Sequence, residues 1–412
     1  MADLVADLHK WPPSTPGIMT TPYGGFILSG FDTFYPASFV FPDGIPKSPF
    51  SDAWTFGKPI PETMVTVGLG DGKKLSLADG NFPSVALWNE EGQRMGQYQG
   101  HYAGHVKQGG EKTVVIRQTM NGRKDEDPGY IMLSADNDAI CIAMIQVSNS
   151  RHTSAFFGDT GYACGQSWYF SDRKLTHDLV NRLTSRCVWL DSEHSGTKNA
   201  RAMSYHLKDM LPAKDKIALY NRDGHKYLCT TRRFTWWRNL KPNGWIPFYK
   251  PPLEYYPDSE DKKKEGADVN PDLVLDDKVY DKDIYLEQGE SRKVREYHKN
   301  NPFARTKKRL AKKSLRKRQG ANMDLERIVV TEIPGQTATE ICEHPNSVGY
   351  DIASYVDMKY CDISEKKLYD LCGGTVTTNC FDGNSTTFFG VINARGENAA
   401  PAKSYKTRSD WK

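Results

Sequence analysis

The chain has 412 residues, 38% of them apolar and 26% charged, with a net charge of +4. This length exceeds what one hydrophobic core usually absorbs, so two folded units with connecting segments are expected. A wholly disordered chain is excluded, because 17 Phe, 21 Tyr and 9 Trp supply large buried areas, while so small a net charge points to no class of partner.

Residues 1–60 are rich in Pro, Gly and aromatics, as in Pro22-Tyr-Gly-Gly-Phe26 and Phe39-Val-Phe-Pro42. Repeated proline breaks helices, so this segment is expected to be extended chain wrapped onto a sheet. Asp3, Asp7 and Lys10 open the chain, and no apolar run of signal-peptide length follows them. That points either to an intracellular protein or to a copy beginning after a removed signal. No stretch approaches a membrane span.

From residue 62 the pattern becomes strand-like. Met64-Val-Thr-Val-Gly68 and Lys112-Thr-Val-Val-Ile-Arg-Gln118 cluster β-branched residues, with turn signals at Gly70-Asp-Gly72 and Asn121-Gly122. Tyr130-Ile-Met-Leu-Ser134 and the run from Cys141 to Val147, separated by a polar turn, read as a hairpin. Short helices are expected between residues 176 and 186 and between residues 199 and 210. Five prolines from 242 to 257 exclude regular helix there. Residues 258–290 are mostly acidic, and residues 292–318 strongly basic, so 258–322 reads as a flexible charged linker. No internal repeat is visible.

The predicted fold is therefore mainly β. A sandwich or barrel-like larger domain (1–257) is followed by the linker, a small disulfide-stabilised β-rich unit (323–393) and a disordered tail (394–412).

The eight cysteines fall into two sets of four: Cys141, Cys164, Cys187 and Cys229, then Cys342, Cys361, Cys372 and Cys380. An even count in each half is what local disulfides require, and the absence of any Cys-x2-Cys pair argues against zinc. Cys141 lies in a strand and Cys164 follows a Gly-rich turn, so a bridge between neighbouring strands is easy there. The short loop from Cys372 to Cys380 suits a local bridge. Three connectivities remain open in each set.

Two groups of motifs surround these cysteines. The first is Asp138-Ala-Ile-Cys141, Cys164-Gly-x-x-Trp168-Tyr-x-Ser171 and Cys187-x-Trp189-x-Asp191. The second is Ile341-Cys342-x-His344, Tyr350-Asp351-Ile-Ala-Ser354, Tyr360-Cys361-Asp362, Lys366-Lys-Leu-Tyr-Asp-Leu-Cys372 and Cys380-Phe-Asp382. In order and spacing they resemble a group of uncharacterised, mostly secreted fungal proteins. The resemblance covers under a third of the chain. It implies an extracellular, disulfide-linked protein and no particular reaction.

Several residues invite a chemical reading. Asp159, in a Gly-rich turn, and Asp191, after Trp189, are the best placed to form a hydrolase pair, although Asp in such a turn more often caps backbone. Trp236, Trp237, Arg238, Trp245 and Tyr249 form a candidate stacking platform for a ligand, the plainer alternative being rings that cover a sheet face. His101 and His105 have metal-ligand spacing only on a helix, and the glycines around them disfavour one, so no metal is expected. Gly165-Gln-Ser167-Trp-Tyr169 lacks the second glycine of a nucleophile elbow, and Gly68-Leu-Gly-Asp-Gly72-Lys73 lacks Walker spacing. No cofactor is expected. The basic tract Lys307, Lys308, Arg309, Lys312, Lys313, Arg316, Lys317 and Arg318 suits phosphate backbones, a nuclear-import address or dibasic processing. Asn384-Ser-Thr386 is an N-glycosylation sequon.

The leading expectation is a secreted, non-enzymatic fungal protein that binds an unknown protein or glycan, as an effector, toxin-like or cell-surface component. The alternatives are an intracellular protein, nuclear or cytoplasmic, that binds nucleic acid through residues 305–318, and an extracellular polysaccharide hydrolase.

Overall fold

The structure is a computed structural model. It describes residues 24–28, 34–38, 61–70, 78–120, 126–136, 138–149, 153–173, 184–211, 214–229, 232–249, 252–254, 326–390 and 403–412. The expected linker 258–322 and its basic tract lie outside the described residues. The rest is mainly β, as expected, in two eight-stranded sheets, one five-stranded sheet and a two-stranded pair.

The first large sheet is built round Ile140–Ser148, all nine residues of which are buried. Both faces are covered, so its apolar run shows no in–out alternation. It pairs antiparallel with Glu62–Leu69, Thr153–Phe157 and Cys187–Leu190. Glu111–Arg117 joins the first of these partners and Trp168–Tyr169 the last. Gly24–Leu28 and Phe34–Ser38, the described parts of the proline-rich segment, extend the sheet beyond Thr153–Phe157.

The five-stranded sheet runs Phe234–Trp237, Ala202–His206, Tyr130–Ser134, Ser84–Trp88, Arg94–Tyr98, antiparallel throughout. Two expectations are corrected here. Tyr130–Ser134 does not form a hairpin with the following strand; the chain crosses from one sheet to the other, because each strand is apolar on both faces and needs two covered sides. Within residues 199–210 there is a strand, Ala202–His206, and then one 3-10 turn, Leu207–Met210. An α-helix that the sequence pattern did not announce follows at Lys214–Tyr227. Residues of the five-stranded sheet alternate between two cores. Val85, Leu87, Ile131 and Leu133 enter the main core, while Ala86, Trp88, Tyr130 and Met132 meet Ile246, Phe248 and Tyr249 on the other face.

The C-terminal unit is the second eight-stranded sheet, beginning with Arg327–Thr331 as expected. Three of its turns share one build: residues 355–358, 363–366 and 383–386 each join strands that pair at the flanking residues. Ser354, Asp362 and Asp382 each accept the backbone N–H two residues on. The fourth turn residue is left-handed each time, at φ 55° for Met358, 52° for Lys366 and 54° for Thr386. The expected disordered tail is corrected: Lys403–Ser404 and Thr407–Trp411 are strands, and the latter pairs in parallel with Arg327–Thr331. The fully buried Trp411 ring anchors that strand in the main core. Polar composition hid it, because only alternate residues face inward.

All eight cysteines are paired: Cys141–Cys187, Cys164–Cys229, Cys342–Cys361 and Cys372–Cys380. Each set of four closes on itself, as expected. Of the connectivities left open in the first set, the structure selects the one that binds Ile140–Ser148 to Cys187–Leu190 directly. The two units are not independent lobes, since Val329, Ile341, Ile352 and Trp411 belong to the same core cluster as Val65, Ile142 and Trp168.

Candidate functional site

Asp159 lies on a one-turn-and-a-half helix, Gly158–Ala163, that leaves directly from Thr153–Phe157. A Cβ at Gly158 would stand 2.1 Å from the carbonyl oxygen of Arg186, so only glycine admits this approach. That contact delivers Arg186 to the carboxylate: its Nη1 donates to Asp159 Oδ1 at 2.8 Å. Nε and Nη2 donate to Glu340 Oε1 of the C-terminal unit at 3.1 and 2.6 Å. The guanidinium also lies against the rings of Tyr162, Trp168 and Phe170, 4.3, 5.5 and 5.7 Å from their centroids.

The motif residues of the two units meet round this ion pair. Trp168 Nε1 donates to His344 Nδ1 at 2.9 Å, Tyr169 Oη to the Tyr350 carbonyl at 2.8 Å, and Trp189 Nε1 to the Val348 carbonyl at 2.8 Å. His344 Nδ1 also accepts the Asn346 N–H, so this ring nitrogen serves as an acceptor at the seam. Lys366 reaches across to the carbonyls of Ile341, His344 and Ser347, each at 3.1 Å, and caps the end of the helix Ala338–Glu343. Burial brings its ammonium down to about 8.

Burial pushes the Asp159 carboxyl up to about 6, against the pull of Arg186. Its Oδ2 is buried without a hydrogen-bond partner among the described residues. A carboxyl tuned this way suits an acid or base, but Asp159 is wholly inaccessible to a substrate. The seam is built to join the two units.

Asp191 has a different set of partners. It accepts the N–H groups of Glu193 and Ser195 at 2.8 and 2.7 Å, and the Ser195 hydroxyl. It thus caps the loop in which His194, Gly196 and Thr197 all have positive φ. Lys198 lies 3.1 Å from Ser195 Oγ and 4.8 Å from the Trp189 centroid. The structure therefore does not bring Asp159 and Asp191 together as a pair. The carboxyl that senses Asp191 is Asp138, exposed at the start of the central strand. Burial chiefly raises its pKa, His105 opposes that, and Asp79 and Asp191 add to it. Sequence reasoning missed this pairing because the two residues are brought together only by sheet register.

The aromatic platform is also corrected. On Phe234–Trp237 successive side chains face opposite ways. Trp236 points to Cys164, donating to its carbonyl at 2.9 Å, and Trp237 to the second core, donating to Ser204 Oγ at 2.8 Å. Tyr249 is buried, Arg238 is exposed, and Trp245 stands alone at 57% exposure. The rings cover a sheet face, the alternative raised for them. Trp237→Ala should accordingly lower stability by about 3–5 kcal/mol, and Trp245→Ala should change it by about 0.5 kcal/mol or less, as read by urea denaturation.

Another charged cluster gave no signal in the sequence. His206 bridges Asp209 Oδ2 at 2.9 Å through Nδ1 and Glu90 Oε2 at 2.8 Å through Nε2. Arg233 and Lys216 approach Asp209 at 3.2 and 3.5 Å, Lys208 approaches Glu90 at 3.3 Å, and the Tyr130 ring lies 4.5 Å from the imidazole. Burial disfavours the imidazolium, yet the two carboxylates prevail and hold it at about 9. A histidine raised from 6.5 contributes stability that is complete below pH 6.5 and is lost as pH rises through 9. Urea midpoints should therefore fall between pH 7 and 9.5, and His206→Gln should remove that fall.

His101 lies in a 3-10 turn with its ring tilted against that of Tyr102, and His105 in a two-residue strand 3.6 Å from Asp79. No group of three potential metal ligands occurs among the described residues. A cleft of about 10 Å³ lined by Tyr169, Phe170, Cys187, Trp189 and Tyr350 is no larger than one water needs. No described helix is long and apolar enough to cross a membrane.

No protein-family model matches the chain, and no curated protein is similar to it in sequence. A crystal structure of a LOX deletion variant aligns over 31% of this chain and 16% of its own, at 12% identity and a TM-score of 0.19. The aligned part is a small fraction of that protein, and so low a score carries no functional meaning.

Proposed function

We propose that this is a secreted protein of the fungal type it resembles, acting by binding a protein or glycan in the extracellular space. The observation that carries the reading is the pairing of all eight cysteines, two bridges in each unit, which suits an oxidising compartment. The carboxylates most suggestive of hydrolysis support it too, since Asp159 is held by Arg186 and Asp191 by its own loop.

Thiol counting by mass spectrometry on protein from its native source tests the compartment. No cysteine should alkylate before reduction and all eight should do so afterwards. Reduced cysteines in freshly isolated protein would overturn the reading. Retention on insoluble cell-wall polysaccharide without release of reducing sugar is the expected result for a glycan partner. Sugar release abolished by Asp138→Asn or Asp191→Asn would replace binding by hydrolysis.

A further inference from the structure

The turn at residues 383–386 joins Cys380–Asp382 to Thr387–Phe389 near the edge of the C-terminal sheet. Asp382 organises it, accepting the N–H of Asn384 at 2.9 Å and the Ser385 hydroxyl at 2.7 Å. The turn is held from outside as well. The Arg408 guanidinium donates to the Gly383 carbonyl, and a Cβ at Gly383 would meet Tyr355 Oη at 2.3 Å. Asn384 itself is exposed, and its carboxamide makes no hydrogen bond among the described residues. Thr386, two residues on, completes the one Asn-x-Ser/Thr sequence in the chain.

We infer that Asn384 is an N-glycosylation site, its Nδ2 taking a sugar from a polyprenyl-diphosphate-linked oligosaccharide; this rests on the secretory reading above. The step forms the bond from Nδ2 to the anomeric carbon and breaks the bond from that carbon to the diphosphate oxygen. The diphosphate leaves with the bonding pair, and the proton lost from Nδ2 passes to a base of the transferring enzyme; nothing is oxidised or reduced. In the folded protein the Thr386 hydroxyl lies 2.9 Å from the carbonyl of Tyr405, 19 residues downstream. Transfer needs that hydroxyl. It therefore precedes the docking of Lys403–Ser404 onto Thr387–Phe389. The glycan then projects from the tip beside a short edge strand, where bulk hinders pairing with another chain.

The full chain, directed into a yeast secretory pathway by an added leader, provides the test. Intact mass should drop by one glycan after peptide-N-glycosidase treatment, with Asn384 converted to Asp in the released peptide. Asn384→Gln and Thr386→Ala should abolish the modification, and Thr386→Ser should keep it. Asn384→Gln lies on an exposed side chain and should secrete normally, so folding failure in Thr386→Ala leaves the test intact. Secreted, fully disulfide-bonded protein unmodified at Asn384 would overturn the site and leave the secretory reading standing. Reduced cysteines in natively sourced protein would overturn the secretory reading by itself.

Discussion

Arg186→Met should destabilise the folded chain by about 3–5 kcal/mol, because it strands a fully buried carboxylate and breaks the bridge between the two units. Asp159 is wholly buried and Glu340 partly so, and among the described residues the ion pair of each is with Arg186. Methionine would fill part of the volume against Tyr162, Trp168 and Phe170 but could donate nothing. Adding Asp159→Asn and Glu340→Gln to Arg186→Met should recover part of the loss, since the stranded charge is then gone. Urea denaturation followed by tryptophan fluorescence reads both effects, Trp168 lying in the seam. A loss below about 1 kcal/mol for Arg186→Met would mean that packing alone holds the units together.

Acid should act on the same seam in a particular direction. The Asp159 carboxyl stands at about 6 in the folded chain against an ordinary 3.8. A raised acid favours the folded state most when protonated, so its contribution is complete below pH 3.8 and is lost as pH rises through 6. Asp159→Asn should flatten that part of the stability profile. Arg186, the guanidinium facing it, stays charged throughout this range.

The second large effect concerns the disulfides. Removing a bridge releases the unfolded chain by an amount that grows with the loop it closes. Cys141–Cys187 and Cys164–Cys229 close 46 and 65 residues, Cys342–Cys361 closes 19 and Cys372–Cys380 closes 8. The double alanine variants of the first two pairs should each cost about 4 kcal/mol, those of the third about 3 and those of the fourth about 2.5 kcal/mol. The Cys141 and Cys187 sulfurs sit in the main core, so that variant also leaves a void and should lose the most. Melting temperatures of the four variants should rank accordingly. A fourth pair as costly as the first would show that local geometry, rather than loop entropy, governs the effect.

Some of this was legible in the chain itself. Runs of β-branched residues identified Glu62–Leu69, Glu111–Arg117 and Arg327–Thr331 as strands, because strand character is a local property of side-chain shape. Even cysteine counts announced bridges confined to each half, and proline excluded helix around Trp245. The motif residues were visible too, but their meaning was not. Trp168, Tyr169 and Trp189 matter through His344, Tyr350 and Val348, over 150 residues away in sequence.

What only the tertiary structure decided was partnership. Whether Asp159 sits in water or against Arg186, whether Asp191 faces Asp159 or Asp138, and whether Trp236 and Trp237 share a face all depend on register and on chain crossings between sheets. The closing strand Thr407–Trp411 makes the point most plainly: its own residues are polar enough to read as tail, and it is ordered by a parallel neighbour and a core that Trp411 enters. Local composition sets what a segment can become, whereas burial and ion pairing are properties of two segments at once, and one of them is always elsewhere in the chain.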